Sequence, residues 1–133
     1  MDKLKKIEKI FKSYSFDRIY AFKEYGQGKI NKTHLMEAAF KGQRKKFIAQ
    51  IINPKFRIKT LARNFEICHA HLEKKAKKNQ ALLTPVKNQK GEIFVKHQND
   101  FWRIFEFIQG GRQIDQIKTA RQAGQVGKAF ARF

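Results

Sequence analysis

The stretch "KEYGQGKINKT", residues 23–33, places Gly26 and Gly28 one residue apart and follows them with Asn31 and Thr33. Glycine reaches positive φ and lets a backbone come close to a ligand. Such a loop can present amide groups to phosphate oxygens, and it can equally be a plain hairpin turn. A Gly-x-Gly pair by itself does not separate the two. Few other residues have the types or spacing for chemistry. Cys68 is the single cysteine, which excludes an intrachain disulfide and a cysteine-based zinc cluster. His69 and His71 lie two apart on a helical stretch and point to different sides, so joint metal ligation is not expected.

The elements that must hold the loop come from periodicity. Leu4, Ile7, Ile10 and Phe11 recur at helical spacing, so residues 3–12 read as a short amphipathic helix, for core packing rather than a membrane surface. Residues 17–25 and 33–40 read as strands flanking the glycine loop, "KGQRKK" as a turn, and 47–53 as a third, central strand closed by Pro54. Ile58, Leu61, Phe65, Cys68 and Leu72 then form an apolar stripe on a helix from about 56 to 78, with Cys68 a small buried hydrophobe. "ALLTPV" and "EIFVKH" flank a Lys90-Gly91 turn and predict a hairpin; 101–108 is a further aromatic strand, and 114–133 a last helix. Helix, three strands, long helix, two or three strands and helix make an α+β arrangement, a mainly antiparallel sheet of about five strands with one long packed helix.

Composition bounds the function. The 133 residues form one ordinary domain, and thirteen phenylalanines supply the large apolar side chains of a core. Thirty Lys and Arg against eleven Asp and Glu leave a net charge of +19, which attracts polyanions. The cations are spread along the chain; the densest runs are Arg44–Lys46 and Lys74–Lys78. No apolar run approaches the roughly 20 residues of a membrane span, and the basic start lacks the apolar segment of a secretory signal. A cytoplasmic protein without membrane contact is expected.

The blocks "GQGKINKTHL", "FIAQIIN", "LARNFEICHAHL", "LLTPVKNQKGEIFV", "DFWRIFEFI" and "AGQVGKAFARF" stand in the order and spacing of a known lobe. Together they resemble the amino-terminal lobe of kinases like N-acetylhexosamine 1-kinase, a branch of the aminoglycoside-phosphotransferase, protein-kinase-like family. The resemblance covers the chain from about Phe16 to Phe133. It implies one lobe, with a sheet and helix core over 14–108 and a linker and the start of the next lobe over 109–133. It also implies that the loop covers nucleotide phosphates, with Gly26, Gly28, Asn31, Thr33 and Gln50 as binding positions and Lys29 and Lys32 adding charge. Backbone groups of Glu106, Phe107 and Ile108 would meet the adenine of ATP. Trp102 and Arg103 match the family's Trp-Arg pair, with Trp102 read as core packing; Asn53, Asn64 and His71 match further positions.

Two departures weaken the implied phosphate brace. Ile51 stands where the family has an arginine, and Arg63 where it has an acid; Lys46 and Glu66 are the neighbours considered as substitutes. The family's catalytic aspartate and metal-binding acid lie in a second lobe beyond the last helix, so Mg²⁺ would need that lobe. The expectation is weak ATP binding, no catalytic residue and no turnover. The chain would then be the nucleotide-binding lobe of an enzyme that phosphorylates a sugar hydroxyl, completed by a chain supplying the second lobe or associating with itself. Two alternatives stay open: a small basic binding protein for nucleic acid or an acidic partner, and a gene fragment without function.

Overall fold

The computed structural model describes residues 2–26, 28–76, 82–111, 114 and 116–132. Three helices, α1 (Lys3–Ile10), α2 (Ile58–Lys75) and α3 (Ala120–Arg132), accompany five strands. The strands are β1 (Phe16–Glu24), β2 (Lys32–Phe40), β3 (Gln43–Ile51), β4 (Phe94–His97) and β5 (Asp100–Glu106). They form one antiparallel sheet in the order β1-β2-β3-β5-β4. The α+β class and the five-stranded antiparallel sheet are as the periodicity predicts, and α2 is the long helix.

Successive side chains on a strand face opposite ways, so the register sorts them into two surfaces. Met36 pairs with Phe47, and Ala49 with Ile104. These four join Trp102, Ile19, Phe22 and Tyr14 in one buried cluster, covered by Ile7 of α1 and by Phe11 just after it. The apolar stripe of α1 is thus spent on the core. On the opposite surface, Thr33 lies across from Gln50 and Gln50 from Arg103; Leu35 lies across from Ile48 and Ile48 from Phe105. Phe65 of α2 packs there, its ring 5.3 Å from that of Phe105.

Several local expectations are corrected. The β2–β3 turn needs only Lys41 and Gly42, both at positive φ (50° and 76°), as a two-residue hairpin requires. Gln43–Lys46, expected to belong to that turn around Gly42, therefore begin β3. "ALLTPV" and "EIFVKH" do not pair with each other. Asn88 does build the Lys90-Gly91 turn, its Oδ1 accepting from the Lys90 and Glu92 N–H groups at 3.0 and 2.8 Å. The arms separate instead: the N–H of Val86 donates to Ile104, whereas β4 forms its hairpin with β5. Ala81 lies outside the described residues.

Cys68 is exposed, not buried. The half-buried stripe of α2 is Ile58, Leu61, Phe65, His69 and Leu72, with Phe65 against Phe105 of the sheet, and Cys68 falls one step around the helix from it. His69 stacks on Phe65 while His71 faces solvent, so the two diverge as their spacing predicts. Helix α2 ends at Lys75; Lys77 and Lys78, where its predicted end falls, are outside the described residues. The last helix starts at Ala120 rather than at 114, because Thr119 and Gln122 cap it. Thr119 Oγ1 accepts from the Gln122 N–H at 3.1 Å, and Gln122 Oε1 from the Lys118 N–H at 2.8 Å, close to a capping box.

Candidate functional site

The glycine loop joins β1 to β2 and is tied down at both ends. The Tyr25 N–H donates to the Thr33 carbonyl at 3.0 Å. Gly26 sits at φ 72°, a conformation that side chains rarely adopt. At Gly28 the constraint is space: an added Cβ would lie 2.9 Å from the Asn31 carbonyl oxygen and 3.4 Å from Thr33 Oγ1. Gln27 lies outside the described residues. Asn31 Oδ1 accepts from the Asn53 N–H at 2.8 Å, and Asn53 Nδ2 donates to the Ile30 carbonyl at 3.3 Å. Two of the matched residues, Asn31 and Asn53, thereby pin the loop to the end of β3.

Thr33, Gln50 and Arg103 come together on the half-open face. Arg103 Nε donates to Gln50 Oε1 at 2.9 Å, and Gln50 Nε2 donates to Thr33 Oγ1 at 3.0 Å. The guanidinium only donates, so the amide oxygen must face it and the amide nitrogen must face the threonine. Arg103 also lies over the Phe105 ring, 4.9 Å from its centroid. Burial pulls its pKa below the usual arginine value. Ile51, where the resemblance expects a cation, packs instead against the core on the α1 side. Lys46 lies opposite Glu37 on the half-open face; Arg63 and Glu66 are exposed on α2.

Glu106, Phe107 and Ile108 stand at the far end of β5. Two of their amide groups are already bonded, Glu106 N–H to the Thr84 carbonyl at 2.9 Å and Phe107 N–H to the Lys46 carbonyl at 3.1 Å. Among the described residues the Ile108 N–H has no internal partner. The Glu106 carboxylate reaches Lys45 at 3.9 Å. The rings of Tyr25 and Phe107 meet at 6.0 Å, so the loop and the end of β5 touch across the face.

A cleft of about 470 Å³ opens beside the loop, lined by Ile30, Lys32, Phe56, Asp100 and Phe101 among others. A smaller one of about 340 Å³ lies beside Lys46, Glu106 and Phe107. Among the described residues no group of three or more His, Cys, Asp or Glu is placed to hold a metal. No helix there is long and apolar enough to cross a membrane. Arg103 is the feature that sequence reading placed only as half of a matched pair. Its cross-strand position opposite Gln50 depends on a register that sequence spacing does not reveal. No protein-family model matches the chain, and no curated protein matches it significantly.

Proposed function

We propose that this chain is a nucleotide-binding lobe of a sugar-kinase-like phosphotransferase, its glycine loop and half-open sheet face covering the phosphates of ATP. The observation that carries this reading is the junction of the loop with the Thr33–Gln50–Arg103 row. Gly28, hemmed in by Asn31 and Thr33, brings the loop backbone down beside the Thr33 hydroxyl, which Gln50 links to Arg103. Amide groups at such a turn favour an anion. The Ile108 N–H, without an internal partner among the described residues, suits an adenine edge at the far end of β5.

The test is calorimetric titration of the chain with ATP. Weak binding is expected, and Gly28→Val abolishes it, since its Cβ collides with the Asn31 carbonyl. N-acetylhexosamine phosphorylation by the chain alone is not expected, because the resemblance assigns the general base and the Mg²⁺-binding acid of such enzymes to a second lobe. Unchanged ATP affinity in Gly28→Val, or sugar phosphorylation by the chain alone, contradicts the reading.

A second reading rests on charge. Arg121, Lys128 and Arg132 line one side of α3, seven and four residues apart, while Val126 and Phe130 stand exposed on another side. With a net charge of +19 this suits a basic protein gripping nucleic acid or an acidic partner. Duplex DNA binding would then lose affinity with salt at a slope of about −0.9 per phosphate contact. Equal, collapsing affinities for two unrelated sequences mean surface charge only; a preference that survives higher salt favours this reading.

A further inference from the structure

We infer that Arg103 is an anion-binding residue, which holds a phosphate-type oxyanion with its terminal amino groups beside the Thr33 hydroxyl. Gln50 binds the arginine through Nε alone, at 2.9 Å. That fixes the plane of the guanidinium and leaves its two terminal amino groups, the fork that grips oxyanions in pairs. Among the described residues no carboxylate lies within 4.0 Å of it. Phe105 covers one of its flat faces, so part of its hydration is already lost.

A guanidinium stays charged in a protein, and a partly buried charge without a counter-charge is costly. A bound oxyanion removes that cost. Thr33 supports the same ligand: its oxygen accepts from Gln50 at 3.0 Å, which leaves its own proton to donate. Gln50 thus orients two donors on one cross-strand row, from the strands on either side of β3, and the exposed Lys29 and Lys32 nearby add attraction for a polyphosphate. The choice of phosphate among oxyanions rests on the nucleotide reading above; the anion site itself rests on the arginine.

The experiment titrates the full chain with inorganic tripolyphosphate, ATP and adenosine. Four proteins are compared: the natural chain, Arg103→Gln, Arg103→Lys and Arg18→Gln. Arg18 is exposed beside Tyr20 and removes the same charge elsewhere. Arg103→Gln is expected to weaken tripolyphosphate and ATP by about tenfold or more, in line with a charge-assisted hydrogen bond. Arg103→Lys, which keeps the charge without the fork and guards against misfolding, falls between; Arg18→Gln stays within about twofold. Equal losses in Arg103→Gln and Arg18→Gln, or no tripolyphosphate binding by the natural chain, overturn the inference. Adenosine separates the two proposals. If tripolyphosphate binding needs Arg103 while adenosine does not bind and ATP gains nothing over tripolyphosphate, the nucleotide reading fails and the anion site stands. If ATP and adenosine bind but Arg103→Gln changes neither, the anion site fails and the nucleotide reading survives.

Discussion

The two faces of the sheet are made by the same strands, residue by alternating residue, yet they are built differently. The α1 face is a dry aromatic layer. Phe11 meets Trp102 edge-on at 5.3 Å and Tyr14 at 5.9 Å, while Phe16 meets Phe47 at 5.1 Å. One of its polar members, Tyr14, is spent internally: its hydroxyl donates to the Ile93 carbonyl, and burial followed by the Glu92 charge pushes its pKa far above the usual tyrosine value. The opposite face carries a bonded polar row, half-buried aliphatics and a glycine loop. One surface is built for stability, and the other leaves donors facing outward. Function is therefore sought where packing is incomplete.

Truncating side chains sharpens this contrast most. Phe47 is fully buried, and Phe47→Ala is expected to cost about 3–5 kcal/mol in denaturant unfolding. Leu35→Ala on the other face should cost only about 1–2 kcal/mol, since that side chain is already partly in water. Equal costs would mean that the second face is as closed as the first.

Acid should weaken the α1 face next. His34 stacks on Phe22 at 4.7 Å and lies 5.6 Å from Trp102, and among the described residues its buried Nδ1 has no hydrogen-bond partner. Burial lowers its pKa below the ordinary 6.5; the Ala49 backbone and Glu24 act upward, Lys3 and Lys32 downward. The folded chain therefore takes up this proton less readily than the unfolded chain. Stability should be level above about pH 6.5 and fall as the pH drops below it, by at most about 1.4 kcal/mol per pH unit for one proton. His34→Phe should flatten that part of the profile. An unchanged slope would place the sensitivity elsewhere.

Smaller effects belong to the half-open face and to α2. Gln50→Leu should cost about 1 kcal/mol or less, because the groups it frees can reach water. Cys68→Ser should change stability by no more than about 0.5 kcal/mol, as for an exposed position. A thiol reagent should label Cys68 in the native protein as fast as in the unfolded one; protection would put Cys68 back under the helix.

The sheet was legible because its strands alternate and its turns carry punctuation. The core membership of Phe11, Phe47 and Trp102 follows from bulk and spacing. Three things were not legible. Whether Cys68 or His69 completes the stripe of α2 depends on a step of about 100° around the helix, which an apolar tally resolves in favour of the cysteine. The partner of "EIFVKH" depends on competition between strands, and β5 wins it through a turn at Gln98, held at φ 54° without a glycine to announce it. The Gln50–Arg103 bond joins residues 53 apart, and only the register of β3 against β5 brings them together. The cap at Thr119 and Gln122, by contrast, was visible in the sequence as Thr-x-x-Gln and marks the true start of α3.

The most direct test of the central claim, that the half-open face receives nucleotide phosphates, is an amide NMR titration with ATP. It belongs at about 0.15 M salt, where screening beyond about 8 Å suppresses diffuse attraction to the many lysines. The account predicts saturable shifts confined to Gly26, Gly28, Thr33, Gln50, Arg103 and Ile108, with residues of the α1 face such as Ala38 and Ala49 unmoved. Shifts scattered over the lysine-bearing surface or centred on α3, or no shifts at all, would contradict it.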